Sequence, residues 1–375
     1  KNNSQSLWNT LDAQCRQHDF TGWDPFDALN STLFQWTPMV KSRWLRLAWL
    51  QFFKRCPINF RTLAIVPRTH NPKALALFAR SYLLNDDAES ASYCIEKMLT
   101  LRSPQAEWGE AAWGYPFDWQ AKAFFVAKQV PNVICTTYAL LALEAAKEEE
   151  LINKSTYNHY AIEAANFTLK HLWRDNAQGK YFAYIPTADA LVHNASLWGA
   201  FICSKAFETN GDERFKLAAN AAISTSLKAQ ATDGSWRYGT MAHHQFIDGF
   251  HTGYNLEALY RSNEILKEDV IASAITNGLD YYIAQFISDE GCVSYYHHSP
   301  YPLDPHSYAQ AILTLNLLRP TSYSVLQQRI ITHCIDNLWN DKGYFYYQKN
   351  KLFTNKVCYL RWTQAWMHLA LSTIK

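Results

Sequence analysis

Three polar residues in the second half of this 375-residue chain have the types and spacing for acid–base chemistry. Asp248, His251 and Tyr254 stand three residues apart, so a helix that begins at Asp248 would carry all three on one face. A carboxylate in that position would orient the imidazole, which would then exchange protons with a bound molecule. The simpler role open to Asp248 is that of the N-cap residue of the helix.

A second carboxyl group, that of Asp118, lies in an aromatic loop with the sequence Tyr-Pro-Phe-Asp-Trp. Apolar surroundings disfavour the ionised form, so they would raise the pKa of this group towards that of a general acid. The alternative is an Asx-turn that only shapes the loop. If both carboxyl groups take part in a reaction, we predict that Asp118 is the general acid and Asp248 the general base.

A further histidine, His306, follows the dipeptide Asp304-Pro305, which is the order expected at a helix start. We expect Asp304 to cap this helix, and the positive end of the helix dipole to lower the pKa of His306. The pairs His243-His244 and His297-His298 have no carboxylate or cysteine at ligand spacing, and the eight cysteines form no CxxC pair. The sequence therefore predicts reduced thiols, no metal ion and no cofactor.

The elements that must position these residues are helices that begin at polar residues and recur along the chain. Successive starts are separated by 55 to 62 residues, a length that fits two helices and their connections. A second helical segment lies between successive starts, and an aromatic piece led by glycine follows it. The six starts are marked by Asn71, Asn132, Asn194, His251, His306 and Trp362.

Six helical hairpins predict the fold, because no hairpin of this kind can bury its apolar face alone. Six stacked copies can close into a ring of inner and outer helices. We therefore predict an all-α protein, a single (α/α)6 toroid domain over residues 1–375, with short aromatic β-like hairpins at the rim. Residues 1–60 are expected to be a helical segment that packs on the ring. The main rival is an open superhelix.

Closure of the ring would gather the polar helix starts at one mouth, with aromatic side chains around it. Flat aromatic rings stack on sugar rings, while amides and imidazoles bind hydroxyl groups, so the mouth is typical of a saccharide site. Many of the 14 tryptophans and 22 tyrosines must nevertheless belong to the core. The predicted substrate-binding residues are Trp113, Tyr115, Trp119, His193, Asn194, Trp236, Tyr238, His306 and Trp362.

Composition excludes several other classes of protein. The net charge is +2 and the one block of like charge is Glu148 to Glu150, so nothing indicates a nucleic-acid partner. No run of about 18 apolar residues occurs, so we expect no integral membrane segment. The chain as given predicts a cytoplasmic protein. A periplasmic location stays open, because the sequence does not begin with Met and a leader could have been removed.

Four segments together resemble one bacterial family. They are Trp113 to Gln120, His193 to Ser196, Asp233 to Gly239 and Phe250 to Tyr254. As a set they look like the VpsJ-type proteins of exopolysaccharide biosynthesis, over roughly residues 60–375. This resemblance implies a polysaccharide or oligosaccharide substrate and an association with a polysaccharide assembly system.

The predicted ring is also similar to the six-hairpin glycosidases, the toroidal polysaccharide lyases and the uronyl epimerases. Asn194, His251 and Tyr254 resemble the Asn, His and Tyr of those lyases, in the same chain order. The resemblance implies that Asn and an Arg, here Arg237 or Arg361, bind a uronate carboxylate while His or Tyr moves the proton at C5. The short spacing between His251 and Tyr254 departs from that pattern.

A further resemblance links residues 230–236 to the Gln and Gly-x-Trp repeats of terpenoid cyclases, although the Asp-x-Asp-Asp motif of those enzymes is absent. Weighing these alternatives, we predict a glycoside hydrolase in which Asp118 is the acid and Asp248 the base. Carboxyl groups about 6.5–9.5 Å apart would then indicate an inverting reaction. A lyase or C5-epimerase centred on His251 and Tyr254 is the near alternative. A glycan-binding protein without catalysis is the third.

Overall fold

The computed structural model describes residues 4–121, 125–319 and 322–374, and six of its helices form an inner layer. Their surfaces are buried on nearly all sides, as the apolar sequences of these helices require. A π-helical turn, Leu360–Gln364, leads directly into the last of them. The inner helices are α4 (Pro72–Leu84), α7 (Val133–Glu148), α9 (His193–Asn210), α11 (Gly249–Leu266), α13 (Pro305–Leu318) and α15 (Ala365–Ser372).

An outer layer of six helices covers the inner one, and each outer helix buries a single apolar face. Among these, α1 comes from the N-terminal segment, and it packs against α15 at the other end of the chain. It therefore takes the outer position of the sixth pair. The outer helices are α1 (Ser4–Gln17), α5 (Ala88–Thr100), α8 (Lys154–Phe167), α10 (Glu213–Lys228), α12 (Asp269–Phe286) and α14 (Ser324–Leu338).

The inner helices close into a ring. In chain order each packs against the next, from α4 through α7, α9, α11 and α13 to α15, and α15 packs back against α4. The predicted (α/α)6 toroid is therefore confirmed. An open superhelix would have lacked the contact between the first and last inner helices.

Side-chain caps fix where four of the inner helices begin. Asn71, Asn132, Asp248 and Asp304 each accept a hydrogen bond from a backbone N–H in the first turn of the helix that follows. Each cap satisfies donors that have no partner within the helix. Because the inner helices run in the same direction, these starts lie at one end of the ring.

Short elements form the rim at that end. Gly234 and Gly291, which lead two of the aromatic pieces, have φ of +89° and +88°, a conformation that other residues rarely adopt. The remaining α-helices of the described residues are α2 (Thr32–Gln35), α3 (Arg43–Arg55) and α6 (Gln105–Trp108). Antiparallel hairpins pair β1 (Trp119–Gln120) with β2 (Phe125–Val126), β3 (Trp173–Asn176) with β4 (Gly179–Phe182), β5 (Trp339–Asn340) with β6 (Tyr344–Phe345), and β7 (Gln348–Lys349) with β8 (Thr354–Asn355).

The described residues also bear on the expected absences. All eight cysteines are free thiols, and five of them are buried. Within residues 4–121, 125–319 and 322–374, no group of three or more His, Cys, Asp or Glu side chains is arranged to hold a metal ion. No helix in this part of the chain is long and apolar enough to span a membrane.

Candidate functional site

A cavity of about 380 Å³ opens at the end of the ring where the inner helices begin. All six inner-helix starts contribute a side chain to its lining, so the cavity is a product of ring closure. We call it the central cavity. Its polar lining includes Lys73 from α4, Asn194 from α9, His251 and Tyr254 from α11, His306 from α13, and Arg361 from the turn before α15.

His251 is held by a buried carboxylate. Its Nδ1 lies 2.7 Å from Oδ2 of Asp248, whose Oδ1 accepts the backbone N–H of His251 at 3.2 Å. The side chain of Asp248 is 3% exposed, whereas that of His251 is 21% exposed. Asp248 is thus both the cap of α11 and the partner of the imidazole. A carboxylate at Nδ1 keeps the proton there, which leaves Nε2 of a neutral His251 free to act as a base.

His306 is held by a tyrosine instead. Tyr254 Oη lies 2.8 Å from Nε2 of His306, while Nδ1 of the same ring is buried and has no hydrogen-bond partner among the described residues. Burial lowers the pKa of His306 well below 6.5, and the nearby cations Lys73 and Arg361 lower it further. His306 is therefore a neutral imidazole at neutral pH.

Lys73 completes this chain of hydrogen bonds, since its Nζ donates to Tyr254 Oη at 3.0 Å. The ammonium group lies 4.4, 5.2 and 4.9 Å from the ring centroids of Tyr138, Tyr254 and Trp366. No carboxylate of the described residues forms an ion pair with it. Burial lowers the pKa of Lys73 well below 10.5, and the charge of Arg361 acts in the same direction. The lysine can therefore give up a proton at low cost.

Arg361 supplies a second buried cation to the central cavity. Its Nε and Nη2 donate to the two carboxylate oxygens of Asp24, in a bidentate pair. The guanidinium also lies 4.7 Å from the ring centroid of Tyr115, whose hydroxyl is 3.0 Å from that of Tyr184. The pairing with Asp24 raises the pKa of Arg361 despite its burial. Arg361 is thus always charged, and the pair with Asp24 fixes the orientation of its guanidinium group.

Aromatic side chains form most of the remaining wall. Trp119, Tyr238 and Trp362 line the central cavity, as does Asn194. Nδ2 of Asn194 is buried without a hydrogen-bond partner among the described residues, so it is a donor available to a ligand. Trp362 donates its Nε1 proton to Asp304, which fixes the indole at the mouth.

The proposed hydrolytic pair is not brought together. Asp118 does not line the central cavity, and its Oδ1 accepts the backbone N–H of Lys128 at 2.7 Å. This bond, to a residue ten positions along the chain, connects the two sides of the rim loop and is not the Asx-turn that was the alternative. The prediction that Asp118 is a general acid at the cavity is therefore corrected. None of the described residues that line the cavity is Asp or Glu. Asp248 is the partner of His251, behind the wall.

Three predicted ligand contacts are also corrected, because their side chains do not line the central cavity and their polar atoms are bonded within the scaffold. Trp113 and Trp236 are 1% and 2% exposed, and their indole N–H groups donate to the carbonyls of Met98 and Ser226. Nδ1 of His193 lies 3.0 Å from the hydroxyl of Ser226. Burial lowers the pKa of His193 to about 4, so this histidine is neutral.

The other predicted residues do line the central cavity, and sequence reasoning missed two important members. Lys73 is one of them, and the signal that could have found it is a lysine directly before the apolar run Ala-Leu-Ala-Leu, at the start of a helix that is buried on nearly all sides. Asp24, the partner of Arg361, is the other. Of the two arginines proposed to bind a carboxylate, Arg237 does not line the cavity and is bonded to Gln245. The predicted residues that line the cavity are Tyr115, Trp119, Asn194, Tyr238, His251, Tyr254, His306 and Trp362.

Comparison with known proteins supports the fold. No family model matches the chain, and no curated protein matches it. The Lin0763 protein from Listeria innocua superposes with a TM-score of 0.61 at 11% identity, covering 99% of this chain and 97% of that one. Cellobiose 2-epimerase from Bacillus thermoamylovorans gives 0.60 at 9%, covering 83% and 90%. A family 76 α-mannanase from Bacteroides thetaiotaomicron gives 0.59 at 13%, covering 81% and 85%. These likenesses show a shared (α/α)6 architecture.

Proposed function

We propose that this protein is a saccharide epimerase that moves a proton at a carbon atom next to a carbonyl or carboxyl group. The observation that carries the proposal is that the cavity is lined by four histidines, two of which, His251 and His306, lie at inner-helix starts, while its described lining contains no carboxylate. Glycoside hydrolysis by the usual route needs two carboxyl groups beside the scissile bond. Proton transfer at carbon needs a base, a group that stabilises the enolate, and a donor.

A saccharide is the substrate class that the cavity wall favours. Aromatic faces from Trp119, Tyr238 and Trp362 can stack on a sugar ring, while Asn194 offers an unpaired amide donor. Among the solved structures with this fold are a cellobiose 2-epimerase and an α-mannanase, which are named for saccharides. The resemblance to VpsJ-type proteins supports a bacterial surface polysaccharide, or its precursor, as the source of this sugar.

The first step follows from the way His251 is held. Nε2 of His251 removes the proton from the carbon, the C–H electron pair forms the enolate double bond, and the carbonyl electrons move to oxygen. Asp248 stabilises the imidazolium that results, as carboxylates do in Asp–His pairs. The charge of Arg361 stabilises the oxyanion.

The second step uses the chain from Lys73 through Tyr254 to His306. When His306 gives its Nδ1 proton to the enolate carbon, its Nε2 takes the phenol proton of Tyr254, and Tyr254 takes a proton from Lys73. The products are a new C–H bond, neutral His306 and Tyr254, and a neutral Lys73 amine. His251 then releases its proton to solvent, and Lys73 takes up a proton from solvent. Addition to the opposite face of the carbon gives the epimer.

The proposal is tested by incubating the protein in D₂O with reducing mono- and disaccharides and with acidic polysaccharides. We expect deuterium at one carbon of the recovered sugar, detected by NMR, and no incorporation with the H251Q variant. Absorbance from an unsaturated uronate would indicate a lyase instead. New reducing ends without deuterium would overturn proton transfer in favour of hydrolysis.

A saccharide-binding protein without catalysis is the second candidate, because it too predicts an aromatic mouth without paired acids. Saccharide binding measured by calorimetry, with no deuterium, unsaturated product or new reducing end across the whole panel, would establish that alternative.

A further inference from the structure

A second cavity, of about 350 Å³, lies next to the central cavity at the rim. We call it the rim cavity. It lies between the end of α3, the hairpin of β7 and β8, and the loop before α13. Its lining includes Lys54, Arg55, Tyr295, Tyr347, Gln348 and Trp362.

The two cavities share one wall. Trp362 lines both of them, and the ring of Phe26, which lines the central cavity, lies 5.8 Å from that of Trp362. Lys54 of the rim cavity places Nζ 4.4 Å from the Phe26 centroid. A chain-like ligand that occupied the central cavity could therefore continue past Trp362 into the rim cavity.

Positive charge without a counter-ion distinguishes the rim cavity. Lys54 and Arg55 line it, no described lining residue is Asp or Glu, and neither cation forms an ion pair with a described residue. The buried carboxylates whose charges act on Lys54 are those of Asp304 and Asp24. Asp304 is bound by Gln348 and Trp362, and Asp24 is bound by Arg361. Burial lowers the pKa of Lys54 and the charge of Arg55 acts in the same direction, while Asp304 and Asp24 oppose the shift without forming an ion pair with Lys54. An anion supplied by a ligand would pair with the two cations.

The neutral part of the lining suits a sugar unit. Tyr295 and Tyr347 contribute aromatic surface, and Gln348 uses its amide N–H on Asp304, which leaves its carbonyl oxygen available as an acceptor. An aromatic wall with a few amides and two cations is a reasonable receptor for a sugar that carries a negative group.

We infer that the rim cavity is a second saccharide subsite, and that it binds an anionic sugar unit of the same chain whose reacting unit occupies the central cavity. This inference rests on the proposed function for the identity of the reacting unit. It narrows the substrate class to acidic oligosaccharides or polysaccharides, in which a carboxylate or a sulfate provides the negative charge.

Calorimetry with oligosaccharides of one to four units tests the subsite. The probes are oligogalacturonates for the carboxylate, carrageenan oligosaccharides for the sulfate, and cello-oligosaccharides as neutral controls. We expect one acidic series to bind at least tenfold more tightly than the neutral series once the chain has two or more units. This advantage should shrink as salt is added. The acidic series that binds more tightly identifies the anionic group as a carboxylate or a sulfate.

Variants then test whether Lys54 and Arg55 are the cations that bind the acidic oligosaccharide. K54M keeps most of the length of the side chain while removing its charge, and R55Q removes the charge of the exposed neighbour while leaving a polar side chain. We expect each to weaken binding of the acidic oligosaccharide about tenfold. K170Q, which removes an exposed lysine from another part of the ring, should have no effect.

Two outcomes would overturn the subsite: no preference of the unmodified protein for either acidic series, or a preference that survives both K54M and R55Q. Binding needs no chemistry, so these outcomes are independent of deuterium incorporation. Charge-dependent binding without deuterium incorporation would refute the epimerase and leave the subsite in place.

Discussion

His251 and His306 line the same cavity but are prepared for opposite roles. The carboxylate of Asp248 binds Nδ1 of His251 and leaves Nε2 without a partner among the described residues, whereas Nε2 of His306 is bonded to Tyr254, and burial and two cations keep that ring neutral. The hydrogen-bond partners of the two rings thus leave a free nitrogen acceptor on one and an N–H donor on the other. The difference between the two imidazoles is therefore the residue-scale basis of the proposed reaction.

Removing the hydroxyl of Tyr254 tests the proton chain directly. In Y254F, Nε2 of His306 and Nζ of Lys73 both lose their partner, so proton return should slow by about 10²-fold. Abstraction by His251 should persist, because Asp248 is untouched. The amount of deuterium in the recovered substrate, relative to the amount of epimer formed, should therefore increase, and NMR measures both. The matched control is Y184F, which removes a cavity hydroxyl bonded to Tyr115 and should have a several-fold smaller effect. Equal losses in both variants would contradict the chain.

Buried His193 predicts a pH-dependent stability. Its pKa is about 4 in the folded protein against 6.5 for an exposed imidazole, so below pH 6.5 the unfolded chain binds a proton that the folded chain does not. The contribution of His193 is thus complete above pH 6.5 and is lost as the pH falls towards 4. The difference in unfolding free energy between the unmodified protein and H193Q should decrease by about 2 kcal/mol from pH 7 to pH 5. Urea titrations at both pH values measure it. A constant difference would mean that His193 takes up its proton without unfolding.

Residue types and spacing predicted part of this site. The short interval from Asp248 to His251 and Tyr254 was sufficient to place them together, because Asp248 caps the helix that carries the other two. Their catalytic role stays a prediction. The role of Lys73 depends on rings contributed by three different inner helices, and no local pattern contains that information. Asp118 shows the opposite limit, since an aromatic neighbourhood in the sequence does not tell whether a carboxylate faces a cavity or the backbone of its own loop.

At the scale of elements, the glycine-led turns determine how the aromatic pieces meet the outer helices. Gly234 has φ +89°, and a Cβ there would lie 2.2 Å from the carbonyl oxygen of Asn277 in α12. A backbone contact of this kind cannot move aside as a flexible side chain would. The glycine is therefore needed both for its conformation and for its size.

A pair of substitutions separates these two effects. Gly211 also has a positive φ, +72°, but no atom lies within 4 Å of the position of its Cβ. G211A should therefore lower the unfolding free energy by about 1 kcal/mol, the cost of the left-handed conformation alone. G234A should cost about 1–3 kcal/mol more, because α12 must shift. Chemical denaturation of both variants measures the difference. Equal costs would show that the turn relaxes away from α12.

The helices themselves were the most predictable elements, since their starts follow caps that are visible in the sequence. The same pattern could not distinguish Trp113 and Trp236 from Trp119 and Trp362. All four belong to recurring aromatic or polar segments, but two of them turn into the scaffold and donate to backbone carbonyls. Only the packing of the neighbouring pair of helices decides which face a ring occupies.

At the scale of the whole molecule, the ring is closed by contacts between the two ends of the chain. Asp12 of α1 accepts hydrogen bonds from Tyr82 of α4, from Nε2 of His368 in α15 at 3.1 Å, and from Arg16 at 2.8 Å. The carboxylate of Asp12 in α1 thus connects α4 and α15, the first and last inner helices. Because every inner-helix start lines the central cavity, this remote joint also holds the site together.

Replacing Asp12 should therefore weaken more than one helix. In D12A the hydroxyl of Tyr82 and the imidazole of His368 lose their buried acceptor, so the unfolding free energy should fall by about 3 kcal/mol. Hydrogen exchange should become faster in both α4 and α15, and not only in α1, since their contact closes the ring. D175A removes a carboxylate from an exposed ion pair with Lys180 and should cost less than about 1 kcal/mol. If exchange in D12A accelerated in α1 alone, the N-terminal helix would be an attachment to a ring that closes without it.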